Sequence, residues 1–196
     1  MLQTILKEAT KTYHRQLEQL MYVDEIMNNT LTLPQYKQLL AINYLVNEEW
    51  ENFLFTSLST SLAAKLHIEK RSKRNALLAD MEELKIAIPK KTTTHHQLII
   101  SKNDASILGA LYVLEGATLG GNIIYKKLAT NAALTHLDLN FHYYQVYGNN
   151  LITYWKEFYE VLNQQPPETD AISVHAAQQM FASIILLQQQ TANSVA

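Results

Sequence analysis

The stretch Leu108-Gly109-Ala110-Leu111-Tyr112-Val113-Leu114-Glu115-Gly116-Ala117-Thr118-Leu119-Gly120-Gly121-Asn122 decides how the rest of the chain is read. It is apolar, and its apolar residues recur at helical spacing. Yet four of the chain's five glycines fall within the thirteen residues from 109 to 121. Each glycine inside a helix costs about 0.8–1 kcal/mol relative to alanine, so four cost about 3–4 kcal/mol, and something must compensate. Gly109, Gly116 and Gly120 lie near one face, because seven residues make about two turns and four make about one. A strip without side chains lets a flat ligand approach the backbone closely, and Gly120-Gly121 lets the helix kink. The same strip equally lets two helices cross tightly, and the residues alone leave both readings open. A phosphate-binding loop fits poorly, since the glycines do not follow a strand and no glycine-lysine-serine element is present.

Outward from this segment, helical spacing recurs and period-two strand patterns are scarce. The fourth helix is expected from the capping pair Asn103-Asp104 to about Leu128. Before it, a first helix runs from about Leu2 to Leu20, and a second from Thr32 to about Leu58 with Pro34 in its first turn. A more charged third helix spans about Ile68 to Lys85, and Pro89 with Lys90 to His96 reads as a loop. After it come an irregular region to about Tyr144, a helix over Val146 to Gln164 that stops at Pro166-Pro167, and a last helix from Thr169-Asp170 to about Gln190. The expected class is all-α, one domain over residues 1–196, with six or seven helices and no internal repeat.

Composition narrows the function. There are 196 residues, 47 % of them apolar, with a net charge of −2 and no basic stripe, which argues against nucleic acid. No cysteine is present, so disulfides, thiolate metal sites and cysteine nucleophiles are excluded, and a reducing compartment fits. No signal peptide is expected from Met1 to Glu8, and the apolar stretches read as too short to span a membrane. A cytoplasmic protein with no membrane or nucleic-acid partner is the expectation.

His14 stands on the apolar side of the first helix, with Glu18 one turn on and Lys7 and Lys11 along the same edge. A histidine so placed could give one ring nitrogen to a metal while Glu18 holds the other. It could equally be a core-edge histidine in an ordinary helix pair. His95-His96 reads as solvated, and His67, His136, His142 and His175 lack a partner pattern. Tyr112 and Trp155 read as core residues.

Taken together, the two segments resemble the heme oxygenase family. Leu6 to His14 is similar to that family's proximal-helix motif, whose histidine binds heme iron, and Glu18 sits where the family keeps a carboxylate. Gly116, Gly120 and Gly121 resemble the distal-helix pattern, and Tyr112 to Gly121 looks closest to the branch associated with bacterial phytochromes. Tyr147-Gly148, Trp155, Phe158 and the Ala177 to Leu187 helix with Phe181 extend the likeness. The resemblance implies a multi-helical bundle with heme between the first helix and the glycine-rich kinked helix. It implies His14 as proximal iron ligand with Glu18 behind it. Lys7, Thr10, Lys11, Gly116, Gly120, Gly121 and Phe181 are then heme contacts, with Gly116 and Gly120 at the reacting face. The implied reaction opens heme, both cofactor and substrate, to biliverdin, carbon monoxide and ferrous iron, using O2 and an external electron donor of reductase or ferredoxin type. A bacterial phytochrome is an implied acceptor of the product. Two positions depart from many members: Ala117 replaces an aspartate, and Gly148 replaces a basic residue. A heme carrier or sensor without turnover is the alternative, while a thiaminase-type enzyme is disfavoured by the lack of cysteine.

Overall fold

The computed structural model describes residues 1–89 and 100–193. Its first helix, α1 (Leu2–Leu20), ends where Tyr22 takes a left-handed conformation (φ 58°), and a short α2 (Val23–Met27) follows at an angle that the sequence did not announce. A reciprocal cap starts α3 (Leu33–Ser57). The Thr32 hydroxyl accepts the Gln35 N–H at 3.4 Å, and the Gln35 side chain accepts the Thr32 N–H at 2.9 Å, with Pro34 in the first turn. Then come α4 (Thr60–Lys65), a 3₁₀ turn (Ile68–Lys70) and α5 (Arg74–Glu83). The Asn103 side chain caps α6 (Asp104–Leu119) by accepting the Ser106 N–H at 2.9 Å. Next are α7 (Gly121–Ala129), 3₁₀ turns at Thr135–Leu137, Tyr143–Gln145 and Gly148–Asn150, then α8 (Leu151–Asn163) and α9 (Asp170–Asn193). No strand occurs among the described residues.

Two boundaries differ from the sequence reading for a tertiary reason. The expected helix from Ile68 is broken at Arg71-Ser72-Lys73, because Arg71 and Lys73 are each only 1 % exposed and carry their charges into the core. The expected helix from Val146 begins only at Leu151, since Gly148 adopts φ +46° and the residues before it coil in 3₁₀ turns. The expected loop from Lys90 to His96 lies outside the described residues.

The central pair is α6 against α9, with α1 laid along α9 and α8 alongside. Ile107, Leu108, Ala110, Leu111, Val113 and Leu114 bury most of α6 against Ala177, Met180, Phe181 and Ile184 of α9, Leu2 and Leu6 of α1, and Trp155 and Phe158 of α8. A second cluster around Ile26, Leu31, Tyr36, Leu77, Leu128, Phe141, Tyr143 and Tyr144 closes the other end, and Met21 packs against both. Side-chain amides and hydroxyls tie the elements together. Ser173 donates to the Ala105 carbonyl at 2.9 Å, and Gln178 and Gln188 reach carbonyls of α1 at 3.1 and 3.0 Å.

The expectation that no apolar segment reaches membrane-spanning length needs correction. Asp104–Ala129 and Pro167–Thr191 are each long and apolar enough by length and composition. Both hold core residues of this bundle, and a helix that is apolar nearly all round is what a central core position requires.

Candidate functional site

On α1, the His14 Nδ1 lies 3.3 Å from the Glu18 carboxylate, the pairing that their i, i+4 spacing allows. This engages one ring nitrogen and leaves Nε2 over. The His14 side chain is 60 % exposed, so it is not a core histidine. Phe181 of α9 stands edge-on to its ring at 6.1 Å, and Tyr13 stacks on Phe181 at 6.4 Å. Lys7 and Lys11 are exposed, seven and three residues before His14 and therefore on its side of the helix. Thr10 is placed differently from its expected role among the ligand contacts. It is buried, its hydroxyl donates to the Leu6 carbonyl at 2.7 Å, and it lies close enough to Tyr112 of α6 to influence that phenol. Thr10 and Tyr112 thus mark one place where α1 meets α6, and His14 and Gly116 each lie four residues further along their helices.

The glycines divide between the two readings that the sequence left open. A Cβ on Gly109 would sit 2.1 Å from the Ser173 carbonyl oxygen, so Gly109 is where α6 and α9 touch backbone to backbone. A Cβ on Gly121 would sit 2.7 Å from the Tyr144 carbonyl oxygen, which makes Gly121 a packing position as well. Gly116 and Gly120 are the open pair. Their nearest neighbours would be the edge of Trp155 at 3.8 Å and the tip of Ile124 at 3.6 Å, ordinary contact distances. The helix breaks at Gly120, shared between the end of α6 and the start of α7. Trp155 stands beside Gly116 with Tyr112 at 6.3 Å and Tyr159 at 4.4 Å between ring centres.

Directly behind Gly116 lies a charge cluster that sequence reasoning missed. Glu115 is 1 % exposed, and its carboxylate accepts from Arg71 Nη1 at 2.6 Å, Lys73 Nζ at 2.7 Å and the Tyr147 hydroxyl at 3.0 Å to each oxygen. Arg71 is further held by the carbonyls of Leu66 at 2.6 Å and Tyr154 at 3.0 Å, with its guanidinium 5.2 Å from the Tyr154 ring centre. Buried Glu51 accepts the Ser72 hydroxyl at 2.5 Å and the Lys73 N–H at 2.8 Å. Burial alone would push the Glu115 carboxyl up, but Lys73 and Arg71 outweigh it and hold the group below its ordinary value. Burial would lower Lys73, and Glu115 more than reverses that. Burial is also the main cause that raises Tyr147, which keeps its hydroxyl a donor. The signal in the sequence was a lone carboxylate inside an apolar helix. Its charged partners lie more than forty residues earlier in the chain and could not be read from spacing.

A narrow cleft runs beside the break, lined by Ala117, Thr118, Gly121 and Asn122 on one side and by Tyr143, Tyr144, Val146, Tyr147, Gly148 and Leu151 on the other. Thr118 is not free to offer its hydroxyl there, because it donates to the Glu115 carbonyl at 2.7 Å. Asp80, Glu83 and His142 also come within metal-binding reach of one another. Their atoms are already engaged, however. Asp80 accepts the N–H groups of His142 and Tyr143 at 2.6 and 2.9 Å, and Glu83 accepts from Asn140 and lies 3.3 Å from His142 Nε2. They act as fasteners of the segment that follows Asn140.

An imidazole oriented by a carboxylate, a buried aromatic edge beside it, cations along its rim and an open glycine pair on a kinked helix suit a large, flat, anionic metal complex. A model of the heme oxygenase family matches residues 1–190. The chain belongs to the heme oxygenase family. Among solved structures it is similar to the heme oxygenase of Neisseria meningitidis, crystallised in NO- and CO-bound forms. The two share 19 % identity over 98 % of this chain and 92 % of that one, with a TM-score of 0.73. At that identity the likeness is one of fold. No curated protein matches the chain by sequence.

Proposed function

We propose that this chain binds heme between α1 and the α6–α7 break and opens it oxidatively to biliverdin, carbon monoxide and ferrous iron. O2 is the oxidant and an external reductase or ferredoxin-type protein supplies electrons. The observation that carries the reading is the pairing of His14 with Glu18 on α1 together with the open Gly116 and Gly120 on α6. Bound heme supplies both the iron that engages O2 and the ring that is oxidised.

Each residue then has a definable task. His14 would offer Nε2 to the iron, with the Glu18 carboxylate 3.3 Å from Nδ1 to orient the ring and raise its basicity. Gly116 and Gly120 carry no side chain, so a flat ring could approach the helix backbone closely there, with room left for a small diatomic molecule. Phe181 and Trp155 exclude water around the ring. Lys7 and Lys11 meet the carboxylates at the ligand's edge. With Ala117 in place of an acid, no side-chain carboxylate is offered next to Gly116 on the exposed side, and ordering of the reacting face falls to backbone and water. The segment Tyr112 to Gly121 supports a place near the phytochrome-associated branch, in which the product serves as a chromophore. A cytoplasmic setting fits the need for reducing electrons.

The test is a single turnover. Hemin added to the purified chain should give a Soret band. Ascorbate in air should then remove that band and raise the broad red absorption of biliverdin. A Soret band that persists under ascorbate and under a protein reductant would mean a carrier, and no Soret shift on mixing would refute heme binding altogether. Leucine at Gly116 or Gly120 should block binding or turnover, and full activity in both variants would return the glycine pair to helix packing.

A further inference from the structure

The residues from His142 to Tyr147 form a strap across the α6–α7 break. Its start is fastened to α5 by the Asp80 carboxylate, which accepts the N–H groups of His142 and Tyr143. Tyr143 donates from its hydroxyl to the Asn43 side chain of α3 at 3.1 Å. The strap then touches both sides of the break. The Tyr144 carbonyl seats against Gly121, the first residue of α7, where no Cβ would fit. Three residues later the Tyr147 hydroxyl reaches the Glu115 carboxylate of α6, held rigid from behind by Arg71 and Lys73. One contact lies five residues before Gly120 and the other one residue after it.

We propose that Glu115 and Tyr147 are positioning residues that set the angle between α6 and α7, and with it the opening at Gly116 and Gly120. The consequence for heme rests on the function proposed above, but the mechanical part does not. Gly120 itself keeps a right-handed conformation (φ −71°, ψ −11°), but two adjacent glycines bend easily, so the chain there fixes the angle only weakly from within. Something outside the helix must fix that angle, and the strap is joined to rigid structure on each side of Gly120. The Tyr147 hydroxyl is the weak link, as the strap's side-chain hydrogen bond to α6.

The chain contains no cysteine, so a spin-label pair can be placed without background. Lys126→Cys on α7 and His175→Cys on α9, both exposed, report α7 against the central helix pair. Distances are measured by pulsed electron resonance without heme, in the labelled parent and in Tyr147→Phe and Tyr147→Ala. The expected result is one narrow distance distribution in the parent and a broadened or second population in both variants. With heme bound, hemin transfer to a scavenger should speed up about tenfold in Tyr147→Phe, the factor expected for one lost hydrogen bond to a charged group. Leu54→Ala in α3 serves as a control that lowers stability away from the strap and should leave the distribution narrow. An unchanged narrow distribution in both Tyr147 variants, with helical circular dichroism retained, overturns the proposal. So does equal broadening in Leu54→Ala. Because the distances are read without heme, they decide the strap even if the chain fails to turn heme over.

Discussion

Replacing Gly109 and Gly116 by alanine, one at a time, should move stability in opposite directions. Both glycines lie inside α6, so each alanine gains the same helix propensity, about 0.8–1 kcal/mol. At Gly109 the new methyl would meet the Ser173 carbonyl oxygen at 2.1 Å and two further backbone atoms at 2.8 Å, where ordinary contact begins at 3.4 Å. Backbone cannot rotate away as a side chain can, so α6 and α9 must part by more than about 1 Å along the central interface of the fold. Overpacking of this kind costs about 1–3 kcal/mol and sometimes more. With both backbones involved, the upper end applies, and the net loss should be about 2 kcal/mol after the propensity gain. For a domain of this size that is a fall in Tm of about 4–8 °C. At Gly116 the methyl would lie 3.8 Å from the nearest atom, Trp155 Cη2, so the propensity gain survives and Tm should rise by about 2–4 °C. Both are measured on the heme-free chain by urea and thermal unfolding followed at 222 nm. The reasoning is refuted if Gly109→Ala is as stable as the parent, or if Gly116→Ala is destabilised. The first result would mean that α6 and α9 do not meet at Gly109, and the second that another part of the chain covers Gly116.

Other expectations can be checked with single variants. His14→Ala should abolish the histidine-type ferric heme spectrum while leaving the fold intact, since the side chain is largely exposed; an unchanged spectrum would exclude it as ligand. Glu115→Gln should destabilise the chain by about 3–5 kcal/mol in urea unfolding, because buried Arg71 and Lys73 would lose the carboxylate they share and keep only the weaker influence of Glu157 and Glu51. A loss below about 1 kcal/mol would show that the cluster admits water. Burial raises the Asp80 carboxyl from 3.8 to about 6. The folded chain therefore holds that proton more tightly than the unfolded chain, so this group's contribution to stability is largest below about pH 4, falls as pH rises through the window to 6 and is flat above it. Asp80→Asn should remove that part of the slope when urea midpoints at pH 4.5 and 7 are compared with the parent's, and an identical slope in both proteins would refute the assignment.

Much of this molecule is local in origin. The bounds of α1 and α3 coincide with their apolar periodicity and with the cap at Thr32, because a helix start is decided by the few N–H groups that a neighbouring side chain can satisfy. The His14–Glu18 contact follows from spacing of four, and the break near Gly120 from two adjacent glycines in one apolar run. The α2 turn was not legible, since nothing local marks Tyr22 for a left-handed conformation. Arg71 and Lys73 fall in a stretch that reads as a charged helix, and the Glu115 carboxylate, brought from more than forty residues away, is the counter-charge they share in the core.

The sequence by itself therefore determined an all-helical chain, its main helices, the histidine with its carboxylate and the glycine-rich element, because these depend on contacts within one or two turns. Tertiary structure alone decided which glycines face open space and which meet another backbone, why the third helix breaks, and what holds the α6–α7 angle. Those outcomes depend on groups distant in the chain, such as Ser173 against Gly109, Tyr144 against Gly121 and Tyr147 with Glu115. A missing side chain looks the same in the sequence whether the space beside it is to be filled or left open, and only packing tells the two apart.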